Sequence, residues 1–126
     1  MAIILIIEDN EVISRLWQIT LQAEGFHVET AASGKDGIEM CKKHNPSVVL
    51  LDLIMPDMDG FQVFKKLRED FNPPPSVIVL SNLSSSQDIQ KARAMGAEDF
   101  IIKSTILPEQ LVAKVKGVLA RGNHAL

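Results

Sequence analysis

Glu8 and Asp9, Asp52, Ser81 and Lys103 each stand at the end of an apolar run, and their types suit chemistry on a phosphoryl group. Three carboxylates brought to one place repel, and each raises the pKa of its neighbours unless something compensates. Lys103 supplies one positive charge, leaving about −2 for Glu8, Asp9 and Asp52 together, a charge that one Mg²⁺ neutralises with hard oxygen ligands and retained waters. Asp52 differs from the other two in ending the strongly apolar stretch Val48-Val49-Leu50-Leu51 and in being followed by Leu53-Ile54-Met55-Pro56. A carboxylate held rigidly beside a metal can attack phosphorus and form an aspartyl phosphate. Metal and lysine would stabilise charge on the transferred group, and the Ser81 hydroxyl could hydrogen-bond one of its oxygens.

These residues meet only if particular elements carry them. Apolar runs bounded by turn residues recur at residues 3–7, 48–51 and 77–80, with shorter ones near Val28 and at residues 100–102. Their Ile and Val content and lack of polar alternation predict strands buried on both faces, as in parallel sheets. Helical spacing fills the intervals. Ile13, Leu16 and Thr20 share a face after Asn10, a candidate N-cap; Phe61, Phe64, Leu67 and Phe71 do so after Asp59, which forms a capping box with Gln62. Ser84 with Gln87 marks a further start ahead of Ile89 and Ala92. Leu111, Val112, Val115, Val118 and Leu119 form an amphipathic stripe after Pro108, while Gly25 and Gly96 fall where helices should stop. The alternation predicts a three-layer α/β sandwich with right-handed crossovers. In such sheets the functional crevice lies beyond the carboxyl ends of the strands, where the named residues stand.

Composition narrows the classes. The chain has 126 residues with 13 Lys plus Arg against 16 Asp plus Glu, a formal charge of −3, so sequence-independent nucleic-acid binding is not expected of it. At 46% hydrophobic and 23% charged it has the balance of a globular protein, and its length suits one domain over residues 1–126. The longest apolar run, residues 1–7, is far short of the roughly 18–20 residues that cross a bilayer. Glu8 and Asp9 follow that run at once, which does not suit a signal peptide, so a cytoplasmic location without membrane insertion is expected. Cys41, the single cysteine, reads as a small buried hydrophobe. His27, His44 and His124 show no metal-ligand spacing and read as surface residues, and Trp17 reads as packing or as a contact for a partner.

From Ile3 to about Leu119 the sequence resembles the receiver domain of two-component response regulators. The resemblance rests on the acidic pair Glu8-Asp9, the run Asp52-Leu53-Ile54-Met55-Pro56-Asp57-Met58-Asp59-Gly60, the hydroxyl residue Ser81, the stretch Gly96-Ala97-Glu98-Asp99-Phe100, and Lys103. It implies a doubly wound five-stranded parallel sheet in the order 2-1-3-4-5, flanked by five helices. It further implies that Asp52 accepts a phosphoryl group from a phosphohistidine on a histidine kinase or histidine phosphotransfer protein. Asp9 and Asp52 would ligate Mg²⁺ directly, Glu8 largely through water, and Ile54 through its backbone carbonyl. Lys103 would pair with the carboxylate and then the phosphoryl group; Ser81 would be the switch hydroxyl and Phe100 the switch aromatic. The output face would be the fourth helix, fifth strand and fifth helix, here about residues 85–95, 99–102 and 108–120, with a monomer or a phosphorylation-dependent dimer as the working unit.

Two positions depart from the family pattern. Ser104 follows Lys103 where a proline is usual, so the family's loop shape does not carry over, and Asn82 replaces a small residue, which would restrict access of the phosphodonor. Ile54 and Leu83 are apolar where the family shapes the approach of water, implying slow self-dephosphorylation and a signalling state in place of a turnover enzyme. Competing readings fit less well. A flavodoxin-like electron carrier needs a phosphate loop where Glu8-Asp9-Asn10-Glu11 stands, and a dehalogenase-type phosphatase needs an aspartate where Ile54 stands. A receiver-like docking module that works without phosphorylation need not keep the whole set of site residues.

Overall fold

Strands and helices alternate along the whole described chain. The computed structural model describes residues 2–81 and 86–122. Within them, β1 (Ile3–Ile7), β2 (His27–Ala31), β3 (Val48–Asp52), β4 (Ser76–Ser81) and β5 (Asp99–Ile102) interleave with α1 (Glu11–Gln22), α2 (Gly34–His44), α3 (Gly60–Glu69), α4 (Ser86–Ala94) and α5 (Pro108–Gly122). The five strands pair in parallel in the order β2-β1-β3-β4-β5, the doubly wound arrangement expected.

The uninterrupted apolar strands follow from burial on both faces. Leu5, Ile7, Val49, Leu51, Val77 and Val79 pack toward Ile38 and Cys41 of α2, Val63, Phe64 and Leu67 of α3, and Ala92 of α4. The alternate residues Ile4, Ile6, Val48, Leu50, Ile78 and Leu80 pack toward Trp17 and Leu21 of α1 and Leu111, Val115 and Val118 of α5. Each fully buried Ile, Leu or Val stabilises the fold by about 1.5–3 kcal/mol, so the sheet is rigid enough to hold groups at its end.

Local signals locate the helix ends. The Asn10 side chain accepts from the N–H groups of Val12 and Ile13, Asp59 and Gln62 form the capping box of α3, and Pro108 opens α5. Gly25 and Gly96 have φ of +94° and +107°, a left-handed backbone that favours glycine. The proposed start at Ser84 lies outside the described residues.

The face of α1 differs from the expected one at Leu16. Ser14, Trp17 and Leu21 are buried, Ile13 packs half-buried against the same core and Thr20 is half-buried, whereas Leu16 and Ile19 are each 54% exposed. The helix carries apolar residues on several sides, and seating the large Trp17 ring against the sheet turns Leu16 outward. Trp17 is thus a packing residue. Phe71 lies beyond the end of α3, and Val63 takes a buried place with Phe64 and Leu67. His27 and His44, far apart in sequence, meet at Glu29, because the start of β2 lies beside the end of α2.

Candidate functional site

Sheet register brings the chemistry together. Ile7 pairs with Leu51, so Glu8 and Asp52 emerge side by side from the two central strands. Asp52 pairs with Leu80, and Ser81 pairs with Ile102, which places Ser81 and Lys103 at the same carboxyl end. The Lys103 N–H donates to the Ser81 carbonyl oxygen at 2.9 Å, fixing the start of the loop that carries the lysine.

Lys103 Nζ lies 2.6 Å from Glu8 Oε1 and 2.9 Å from Asp52 Oδ2. Glu8 and Asp52 are buried and Asp9 is exposed, yet carboxylate oxygens of all three lie within 4.8 Å of one another. The second Asp52 oxygen, Oδ1, accepts from the Ile54 N–H at 3.1 Å, so both oxygens of the carboxylate are held. Glu8 Oε2 accepts from the Asn10 N–H at 3.0 Å. Its partner oxygen Oε1 is fully buried and has the lysine at ion-pair distance but no donor aligned for a hydrogen bond.

The electrostatics express this crowding. Burial pushes the Glu8 carboxyl up to about 7; Lys103 and the Asn10 N–H oppose the rise, and Asp52 and Asp9 add to it. Burial disfavours the charge of Lys103, but its ion pairs with Glu8 and Asp52 prevail and raise its pKa above the ordinary lysine value. A lone lysine therefore does not satisfy the cluster. A buried carboxylate oxygen without an aligned donor, beside two further carboxylates, is a donor set that suits a hard divalent cation such as Mg²⁺.

The loop after β3 is tied on both sides. Gly60 packs against the chain just after Asp52: a Cβ added there would lie 2.4 Å from Leu53 Cα and 2.6 Å from the Asp52 carbonyl oxygen, so any larger residue displaces the strand end. Asp57 carries a role that sequence reasoning missed. Its carboxylate accepts from the N–H groups of Gly34 at 3.0 Å and Lys35 at 3.1 Å, in the first turn of α2. Those bonds hold the Asp57 carboxyl below its ordinary pKa. An acidic group on a helix N-terminus is favourable, but no spacing in the sequence links Asp57 to a helix two elements earlier.

Ser81 is half-buried at the end of β4, and Phe100 is half-buried on β5 against the α2, α3 and α4 layer. The Arg93 guanidinium lies 5.2 Å from the centre of the Phe100 ring. Ile54 is 67% exposed beside Asp52. After Lys103 the chain turns through Ser104, with the Thr105 and Ile106 N–H groups donating to the Ile102 carbonyl at 3.2 and 3.1 Å. Asn82 and Leu83 lie outside the described residues.

A doubly wound sheet with an acidic cluster at the ends of β1 and β3, met by a lysine from the loop after the edge strand β5, defines a receiver-type α/β domain. Residues 4–116 match the family described as the response regulator receiver domain, and the chain belongs to that family. It is 36% identical over 118 residues to the transcriptional regulatory protein SrrA of Staphylococcus aureus, covering 94% of this chain and 48% of SrrA. The chain spans about half the length of the curated relatives it matches. Among solved structures it is similar to a CheY-like receiver domain protein of Methanospirillum hungatei, with TM-score 0.92 and 25% identity over 100% of this chain and 99% of that one. The chemotaxis response regulator CheY4 of Vibrio cholerae gives TM-score 0.85 and 30% identity over 94% of this chain and 98% of that one. No helix of the described residues is long and apolar enough to cross a membrane.

Proposed function

We propose that residues 1–126 act as one receiver unit in which Asp52 accepts a phosphoryl group from a phosphohistidine of a histidine kinase or histidine phosphotransfer protein. The observation that carries this reading is the bridge of Lys103 Nζ between Glu8 and the buried Asp52 at the ends of β1 and β3. An oxygen of Asp52 attacks phosphorus, the bond from phosphorus to the donor imidazole breaks, and the imidazole leaves with the electron pair. Lys103 stays charged and turns from the carboxylate to the incoming phosphoryl oxygens. Glu8, Asp9, Asp52 and the Ile54 carbonyl are the groups that would hold Mg²⁺. When bound, Mg²⁺ supplies positive charge that offsets the phosphoryl oxygens in the transition state.

The product carries about −1.5 to −2 charge in place of a carboxylate's −1. The Ser81 hydroxyl, at the neighbouring strand end, is the donor that answers this change by bonding a phosphoryl oxygen. Phe100 follows on the adjacent strand, with a groove of about 410 Å³ below it lined by Ile102, Thr105, Ile106, Gln110, Ala113 and Lys114. Altered partner affinity on this face of α4, β5 and α5 is the output, as a monomer or as a phosphorylation-dependent dimer. The unit works in the cytoplasm, where its donors are found, and makes no direct contact with nucleic acid.

Its donor docks along α1. Val12, Leu16 and Ile19 present an exposed apolar strip beside Glu8 and line a cavity of about 630 Å³ with Arg15, Thr30 and Ala31. Transfer of label from a phosphorylated histidine phosphotransfer protein to this chain, and none to Asp52→Ala, tests the reading. A docking module that works without phosphorylation would give no transfer, and the full set of carboxylates, lysine and hydroxyl does not favour it.

A further inference from the structure

We propose a second metal site, distinct from the acidic cluster, in which His27, Glu29 and His44 bind one divalent transition-metal ion, with Zn²⁺ the best match. His27 and Glu29 are two residues apart on β2, so both side chains leave the same face of the sheet, toward α2. His44 is the last residue of α2 and comes to the same point from the helix side. The two imidazoles share one carboxylate: His27 Nε2 lies 2.5 Å from Glu29 Oε2, and His44 Nε2 lies 3.8 Å from Glu29 Oε1. One ligand atom from each of the three residues falls within 4.8 Å of the others, and the ring centres are 6.2 Å apart.

Two imidazole nitrogens and one carboxylate oxygen suit Zn²⁺ or its first-row neighbours and not Mg²⁺, which favours all-oxygen sites. Tetrahedral Zn²⁺ takes ligands at about 2.0–2.2 Å, hence about 3.3 Å from one another. Small rotations of surface side chains reach that spacing. The His27, Glu29 and His44 side chains are 46%, 27% and 23% exposed, leaving a path of entry and room for water as the fourth ligand. The carboxyl end of α2 also favours a cation beside His44, since the helix dipole is negative there. The bound ion would fasten the edge strand β2 to α2, and by binding only the folded chain it would stabilise the fold.

The site is tested by adding Zn²⁺ to the intact protein in millimolar Mg²⁺ while following the histidine ring ¹H–¹⁵N resonances and the heat of binding. The expected result is one saturable event in which the His27 and His44 ring signals move together. Binding should be absent from the doubly substituted His27→Gln, His44→Gln protein, and weakened in Glu29→Gln by at least the roughly 10–100-fold that follows loss of a group merely hydrogen-bonded to a metal ligand. Zn²⁺ that moves only resonances near Glu8, Asp9 and Asp52, or only His124, overturns the proposal. So does an isotherm that the double substitution leaves unchanged. The ring signals of the unsubstituted protein decide the matter even if a variant folds poorly.

Discussion

The carboxylate of Asp57 accepts a hydrogen bond from the backbone N–H of Gly34, 3.0 Å away and 23 residues earlier in the chain. The loop that follows the candidate phosphoacceptor is thereby pinned to the start of α2. Asp57→Ala should lower the urea midpoint at neutral pH. The Asp57 pKa is depressed in the folded chain, chiefly by the Gly34 bond and then by Lys35, from an ordinary value of 3.8. Its stabilisation is therefore present above 3.8 and is lost as pH falls through the lower folded value. Urea melts across acid pH should show wild type and variant converging. A constant gap down to low pH would contradict the account.

Ile54 combines a backbone contact with an exposed side chain at the site. Its N–H donates to Asp52 Oδ1, and its side chain offers nothing that could orient a water for attack on phosphorus. Ile54→Asn keeps the backbone donor and adds a polar group, so the lifetime of the phosphorylated protein should fall several-fold. Following loss of phosphate from the purified phosphoprotein checks this, and an unchanged lifetime counts against the role.

Leu16 and Ile19 face outward on α1, each 54% exposed. Replacing both with Ala should change stability little, within about 0.5 kcal/mol per position, as is usual for surface sites. Phosphotransfer from a phosphohistidine protein should slow at least several-fold, while phosphorylation by acetyl phosphate, which needs no docking surface, should not. Equal slowing with both donors would mean that the substitutions damage the site itself.

Glu8 links the site to pH. Burial raises its carboxyl from 4.5 to about 7 in the folded chain, against the opposing pull of Lys103 and Asn10. The folded state then binds this proton more tightly than the unfolded state, so without metal its contribution to stability falls as pH rises from 4.5 to about 7. A divalent cation competes with the same proton. Mg²⁺ should bind more tightly above pH 7 than below it, as calorimetric titrations on either side of that value would show. Affinity that does not change with pH would remove Glu8 from the cation site.

Strands and their terminal residues were legible because burial on both faces leaves unbroken Ile, Leu and Val runs, and the first polar residue after each run marks the sheet's carboxyl end. Glu8, Asp52, Ser81 and Lys103 could thus be found before any coordinates. The outward turn of Leu16 on α1 could not, since Ile13, Leu16 and Thr20 make as regular a stripe as Ser14, Trp17 and Leu21, and only packing against the sheet decides which side chains are covered. Asp57 and the pair His27 and His44 were hidden for another reason. Their partners come from elements remote in sequence, and no local period encodes such a meeting.

Asp52 is proposed to take the phosphoryl group with a divalent cation beside it. Intact mass after incubation with acetyl phosphate and Mg²⁺, set against Asp52→Ala and a metal-free control, tests this proposal most directly, with a fluoroberyllate analogue trapping the state if the adduct is labile. A metal-dependent gain of one phosphoryl group, absent from Asp52→Ala, is expected. An adduct that persists in Asp52→Ala, or neither adduct nor analogue binding in the wild type, would contradict the proposal.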